Sequence, residues 1–339
     1  MGYETPRDDV GLAIVDPGEP KRAPKKKRRW IIPLSIFVGL IVIALVAVGL
    51  AAKKVNDVLV SIPRSGNLVV PSAEPIVANK PVNIVFMGSD SRTADASDGR
   101  SDVLMLAHLN ADRTKMYIVS FPRDMYVEIP GHGKNKINAA FAFGGPVLTV
   151  QTINALLGIN TNHTALIDFE GFIGLSTALG GVTFTNDITF SAQGYRFPKG
   201  TLTLSGAELL AYVRERHAVP KGDLDRAHHQ RIVLKAMVAK IMSKGVLTDI
   251  PTLLNVADQI GGFVTVDANL TNDEIISLAT SLKLTASDIV DLQAPISGFG
   301  TTGAGASIDV VDEKKMAELA KAMQSDTMDQ YVQQYGTGF

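Results

Sequence analysis

The stretch 82–124 reads VNIVFMGSDSR (82–92), TADASDGRSDVLMLAHL (93–109) and NADRTKMYIVSFPRD (110–124), and its reading decides the fold. The runs 82–87, 103–109 and 116–121 are apolar at nearly every position, which predicts strands covered on both faces. Charged residues mark their ends. Asp90 closes the first run, Arg100 and Asp102 open the second, and Arg123 and Asp124 close the third. Arg100 and Asp102 are two apart and so point to the same face of an extended chain. Open α/β sheets place ligand crevices at such strand ends. Two carboxylates and two arginines at one rim suggest a metal ion facing an anionic substrate.

Bulk composition narrows the classes. A chain of 339 residues with 46% hydrophobic residues has material for a substantial core. Its net charge of -1 conceals a basic block, Lys21, Arg22, Lys25, Lys26, Lys27, Arg28 and Arg29, so the remainder is acidic in balance. Basic residues there are neither in excess nor interleaved with aromatics, which argues against a nucleic-acid partner. The absence of cysteine excludes disulfides, thiolate metal sites and cysteine nucleophiles together.

Residues 1–29 are polar, rich in Pro, Asp and Lys, and are read as a disordered cytoplasmic tail. The run 30–52 carries no charge and is long enough to cross a bilayer as a helix. A cleaved signal peptide is the alternative, but the apolar stretch is long for one. The basic block before it outweighs Lys53 and Lys54 after it, which orients the amino terminus inward and everything beyond residue 54 outward. Residues 53–80, with Pro63, Pro71 and Pro75, are expected to form a stalk.

Beyond the opening strands, IPGHGKNKIN (129–138) reads as a turn-rich loop without the residue order of a phosphate-cradling loop. Pro146 suits the first turn of a helix that Gly158 ends. A strand at 163–169, a helix at 170–179 and a strand after Gly180-Gly181 continue the alternation, and 186–200 reads as a hairpin excursion. The pattern predicts an α/β domain over 81–325, layered α-β-α about a central mixed sheet, with a frayed polar tail at 326–339. Ser205 and Glu208 form a capping-box signature for the helix carrying Arg214, and Thr271 with Glu274 forms another. Arg214 and Arg216 would lie about 200° apart on a continuous helix, so both can face one ligand only if the helix ends between them. On the helix that follows, Arg226 and Gln230 are four apart and share a face. The Gly/Thr/Ser-rich 297–307 reads as a flexible loop.

Taken in order, GSDSR, GRSDVLML, SFPRD, YVRERH and GDLDRAHHQR resemble the LytR-CpsA-Psr family of cell-envelope glycopolymer phosphotransferases, over roughly 82–245. The resemblance implies a membrane-anchored enzyme outside the bacterial cytoplasmic membrane. It would move a glycopolymer of teichoic acid, capsule or arabinogalactan type from a polyprenyl-pyrophosphate carrier onto peptidoglycan through a phosphodiester. It implies that Asp90 and Asp102 hold Mg2+ (or Mn2+), as suits hard oxygen ligands. It further implies that Arg100, Arg123, Arg214, Arg216, Arg226 and Gln230 surround the pyrophosphate; the helix conflict between Arg214 and Arg216 favours Arg100, Arg123 and Arg226 as the catalytic groups directly on it. Guanidinium forks bind phosphate oxygens in pairs and keep their charge. A prenyl tunnel between sheet and helices is implied too, where Leu234, Val238 and Ile241 either line the tunnel or belong to ordinary core. For the proton acceptor the sequence offers Asp124, Asp223 and Asp225.

Other chemistries fit less well. His228 and His229 diverge by about 100° on a helix and cannot both ligate one zinc ion, and no GxSxG elbow supports a serine hydrolase. A polyprenyl-pyrophosphate hydrolase using water as acceptor, and a scaffold that binds lipid-linked glycan without turnover, remain as alternatives.

Overall fold

The three apolar runs form the middle of a seven-stranded sheet. The computed structural model describes residues 1–2, 57, 59–89, 101–241 and 264–338, with the backbone alone at Ser89, Ser101, Asp102 and Phe169. The chain divides into Met1–Leu50 and Ala51–Phe339; every element below belongs to the second unit. In chain order the strands are β1 (Arg64–Ser65), β2 (Val82–Ser89), β3 (Ser101–Leu109), β4 (Met116–Ser120), β5 (Tyr126–Ile129), β6 (Gly133–Lys136), β7 (His163–Asp168) and β8 (Val182–Asn186). There follow β9 (Phe190–Ala192), β10 (Tyr195–Phe197), β11 (Gly200–Leu204), β12 (Val264–Asp267), β13 (Ile289–Gln293), β14 (Ile296–Thr301) and β15 (Ser307–Val311). The helices are α1 (Ala139–Leu157), α2 (Phe169–Ala178), α3 (Gly206–Arg214), α4 (Asp223–Ile241), α5 (Asn272–Ser281), α6 (Glu313–Gln324) and α7 (Met328–Tyr335).

The large sheet has the order β1-β12-β7-β2-β3-β4-β13. It is mixed: β2, β3 and β4 run antiparallel in sequence, while β7 and β13 join β2 and β4 in parallel. Strand alternation separates two faces. Leu104 and Leu106 of β3, with Tyr117 and Val119 of β4, pack against Leu148 and Ile153 of α1 and Met316 and Leu319 of α6. Met105, Ile118 and Ile289 point the other way, toward Leu234 and Val238 of α4. A further core joins α2, α3 and α4 to the hairpin strands through Leu175, Phe184, Leu209, Tyr212 and Val233. This is the expected α-β-α layering.

Local chemistry sets the joints. In α1 the backbone breaks at Gly144 and Gly145, the latter at φ 64°, and Pro146 opens the continuous part, where a missing N–H costs nothing. Gly158 at φ 59° ends it, its N–H donating to the Asn154 carbonyl. Thr271 and Glu274 form the expected capping box of α5. At Ser205 the side chain makes no cap hydrogen bond, so that box does not form although the helix starts there.

Four expectations are corrected. The stalk assigned to 53–80 is in part domain. Arg64 and Ser65 pair with Val266 and Asp267, and Leu68 and Val70 are buried, because these apolar side chains have a place against α1. The loop at 129–138 is the β5–β6 hairpin, turned by Gly131 and Gly133 at positive φ. The loop at 297–307 is mostly the paired β14–β15 hairpin. The frayed tail at 326–339 is largely α7, which buries Met328 and Tyr331. Asp329 accepts from Tyr117 Oη at 2.8 Å, and Asp326 accepts from the Ala111 N–H at 3.0 Å, so polar residues there are anchors. The expected spans 1–29, beyond Met1 and Gly2, and 30–52 lie outside the described residues. Among those described, α1 alone is long and apolar enough to cross a membrane, and Val150, Ile153 and Leu157 on it are buried in the core.

Candidate active site: an apolar cavity rimmed by arginines

A cavity of ≈ 680 Å³ opens between the second sheet face and helices α2, α3 and α4. Its walls are Phe86, Val103, Met105, Leu175, Leu234, Val238 and Ile241, and its mouth carries Arg123, Arg214, Arg216, Arg226 and Gln230. Leu234, Val238 and Ile241 line the cavity and also pack against the neighbouring core clusters. The combination of a long apolar cleft with several guanidiniums at one end suits an amphiphile with an apolar chain and an anionic head.

Each arginine is placed by identifiable local structure. Arg123 sits in the SFPRD turn, where Phe121 N–H donates to the Leu104 carbonyl and Met125 N–H to that of Pro122; the Asn138 N–H in turn donates to the Arg123 carbonyl. Helix α3 ends at Arg214, and Glu215 is extended at φ -69°, ψ 129°. That termination removes the 200° conflict, and both Arg214 and Arg216 reach the mouth. The turn after it is held by Glu215, whose Oε1 accepts from the Ala218 N–H at 2.8 Å. Burial works to raise the Glu215 carboxyl, but the N–H groups of Ala218, His217 and Arg216 outweigh it and hold the pKa below the usual range. Arg226 and Gln230 share a face of α4 as expected, and Gln230 Nε2 donates to the Val213 carbonyl at 3.2 Å, locking α4 to α3.

A line of charge connects these groups. Lys136 Nζ pairs with Asp124 at 2.7 Å, Arg123 Nε lies 3.2 Å from Asp223 Oδ1, and Arg226 Nη2 meets the same oxygen at 2.7 Å. Asp223 opens α4, where a carboxylate also favours the helix N-terminus. Asp225 is spent on the backbone, accepting from the Lys221 N–H at 2.7 Å. One member went unread in the sequence. Asp309 on β15 is buried, and its N–H donates to the Asp124 carbonyl at 2.9 Å. Its pKa is raised to about 6, chiefly by burial and further by Asp124 and Asp223, against the downward pull of Lys136 and Arg123. Nothing in SIDVVD marks it, because it reaches Asp124 from 185 residues away through a hairpin.

For the expected metal ligands the backbone supplies the frame. Gly88 pairs with Val103 and Ser89 with Ser101, with a register shift between them, so the end of β2 and the start of β3 lie side by side. A side chain at Gly88 would meet Val103 at 2.7 Å, so that close approach requires glycine. Asp102 belongs to β3 beside this junction; Asp90 and Arg100 lie outside the described residues. His228 pairs with Asp187 at 2.8 Å, whereas His229 stacks on Phe190 inside the helix–hairpin core.

The LytR_cpsA_psr family model matches residues 46–325. The chain belongs to the LytR-CpsA-Psr family. Among curated LytR-CpsA-Psr relatives, the polyisoprenyl-teichoic acid–peptidoglycan teichoic acid transferase TagU of Bacillus cereus (strain AH820) is 37% identical over 226 residues, covering 66% of this chain and 72% of that protein. The enzyme of the same name from Enterococcus faecalis (strain ATCC 700802 / V583) is 31% identical over 86% of this chain and 95% of its own. The solved structure of B. subtilis TagV superimposes with a TM-score of 0.64 at 28% identity, over 74% of this chain and 99% of that one. TagT bound to LI-WTA gives 0.60 at 27%, over 79% and 99%. These matches agree with the mixed α/β architecture and with a transferase of phosphorus-containing groups.

Proposed function

We propose that this LytR-CpsA-Psr protein transfers a glycopolymer from a polyprenyl-pyrophosphate carrier to peptidoglycan, forming a phosphodiester. The observation that carries the reading is the apolar cavity ending at Arg123, Arg214, Arg216, Arg226 and Gln230. The prenyl chain would occupy the space lined by Met105, Leu234, Val238 and Ile241, leaving the pyrophosphate at the arginines. An acceptor hydroxyl oxygen attacks the phosphorus bearing the glycopolymer, and the bond to the departing polyprenyl phosphate breaks. The guanidiniums stabilise the charge that grows on the bridging and terminal oxygens. Asp90 and Asp102, with Arg100 between them in sequence, are the residues that would hold magnesium or manganese. Two carboxylates near the close junction of β2 and β3 in sequence are the donor type that a hard cation takes while keeping water and phosphate in its shell. Such an ion supplies additional charge neutralisation when bound. In this reading residues 30–52 anchor the chain in the cytoplasmic membrane, 1–29 stay inside, and the domain works outside.

The test uses the full chain in detergent micelles with a synthetic polyprenyl-pyrophosphate glycan and peptidoglycan, with magnesium or chelator, for wild type and Arg123→Ala. Metal-dependent transfer lost in Arg123→Ala is the expected result. Release of polyprenyl phosphate without acceptor product would make the protein a hydrolase, and binding without turnover would make it a scaffold.

A further inference from the structure

The β14–β15 hairpin presents an unusual pair beside the charge line. Phe299 is 70% exposed, the most exposed large aromatic side chain among the described residues, and its cross-strand partner is the buried Asp309. Partners directly opposite in an antiparallel pair project from the same face, with Cβ atoms ~5 Å apart. Asp309 is itself bridged to Met125, one residue beyond Asp124 and two beyond Arg123. The ring of Phe299 therefore stands next to a carboxyl group that adjoins the SFPRD turn of the phosphate site. Its neighbours Gly298 and Gly300 carry no side chain, and Gly303 and Gly305 in the connecting turn have open space around them. A bare aromatic face with a carboxylate at its edge is a combination that binds a sugar: the ring takes the C–H face and the carboxylate accepts from a hydroxyl.

We propose that Phe299 and Asp309 form the acceptor-sugar subsite, the ring stacking under the sugar that receives the glycopolymer and the Asp309 carboxylate accepting the proton of its attacking hydroxyl. This rests on the transferase reading above. In the step, the hydroxyl oxygen forms the new P–O bond, its proton passes to Asp309, and the old P–O bond leaves with its electron pair on polyprenyl phosphate. The groups that face Asp309 are Asp124 and Arg123 from the SFPRD turn, Lys136 from β6 and Asp223 from α4. Burial, with Asp124 and Asp223 opposed by Lys136 and Arg123, raises its pKa to about 6, near the pH at which a general base works best.

The experiment measures initial rates with the full chain in detergent micelles, varying donor and a solubilised peptidoglycan glycan separately, from pH 5 to pH 8. Phe299→Ala, a surface change, should raise the KM for the acceptor roughly tenfold and leave the donor KM unchanged. Asp309→Asn, an isosteric change, should lower kcat by roughly 100-fold or more and abolish the loss of rate below about pH 6. An unchanged acceptor KM in Phe299→Ala overturns the subsite. So does a rise in donor KM of the same size, which would put a sugar of the donor on the ring. If Asp309→Asn does not fold, the Phe299→Ala comparison still decides. Absence of acceptor transfer by the wild type is a separate result, which removes the transferase reading and the subsite with it.

Discussion

Asp223→Asn separates two effects that most site variants mix. One oxygen of Asp223 serves both Arg226 Nη2, at 2.7 Å, and Arg123 Nε, at 3.2 Å. The substitution keeps the shape and an acceptor oxygen and removes the charge. The side chains of Arg123 and Asp223 are 19% and 26% exposed and that of Arg226 is 7% exposed, so each pair falls between an exposed pair worth ~0.5 kcal/mol and a buried one worth several. About 1 kcal/mol for each, ~2 kcal/mol together, is lost from the orientation of two guanidiniums, which is roughly 30-fold in rate. Against this, removing a negative charge ~7 Å from a bound anion is worth ~2 kcal/mol at an effective dielectric constant near 20. That gain acts on bound substrate and transition state alike and so lowers KM. Steady-state transfer kinetics should therefore show kcat down by about 10- to 50-fold with a donor KM unchanged or lower. An unaltered kcat would refute the assignment of Asp223 as the group that holds Arg123 and Arg226 in place.

Four further outcomes are expected. Val238→Trp, which fills the cavity next to Leu234 and Ile241, should abolish use of a long prenyl donor and spare a short-chain analogue, read by comparing the two substrates. Deleting residues 326–339 removes the buried Met328 and Tyr331, worth ~4 kcal/mol together, and should lower Tm by roughly 10 °C in a melting curve. His229 is buried against Phe190 and Tyr212, and burial pushes its pKa down to about 4. The unfolded chain then binds a proton between pH 6.5 and 4 that the folded one refuses, so stability falls by roughly 3 kcal/mol across that window as pH drops; His229→Phe should flatten that limb in denaturant titrations at several pH values. Polyprenyl phosphate at a hundred times its Kd should stabilise the protein by ~2.7 kcal/mol and raise Tm by roughly 5–10 °C, and Arg226→Ala should need far more ligand for the same shift.

The sequence exposed the central strands because they are apolar on both faces, a pattern that alternation and turn residues place securely. It also exposed the arginines, through motifs whose order is specific. It hid whatever depends on distant pairing. Arg64 and Ser65 look like linker until Val266 and Asp267 lie beside them, and MDQYVQQY looks polar until its two buried positions meet the sheet layer. Asp309 has no local signature because its role arises from the strand bridge to Met125. Arg214 and Arg216 show the converse. Their spacing forbade a common target on a helix, and the missing piece was a helix end that a single extended residue, Glu215, supplies.

Cavity wall and core cannot be separated by composition, and the energetics explain why. On β3, Leu104 and Leu106 face the core beside α1 while Val103 and Met105 face the cavity, yet all four are apolar. Both environments exclude charge, so both select the same side chains. The volume tells them apart. At ~24 cal/mol per Å³, a dry void of ≈ 680 Å³ would cost ~16 kcal/mol, more than the 5–15 kcal/mol by which folded domains of this kind are stable. Such a space persists only if something fills it. Water enters at the arginine-lined mouth but finds few partners along Phe86, Met105, Leu234 and Val238, so an apolar chain displaces it at a gain of ~0.8 kcal/mol for each methylene buried. The same side chains that would collapse into an ordinary core are held apart by the sheet on one side and the α3–α4 lock through Gln230 on the other, and that separation is what keeps open the space that the proposed function gives to the prenyl chain.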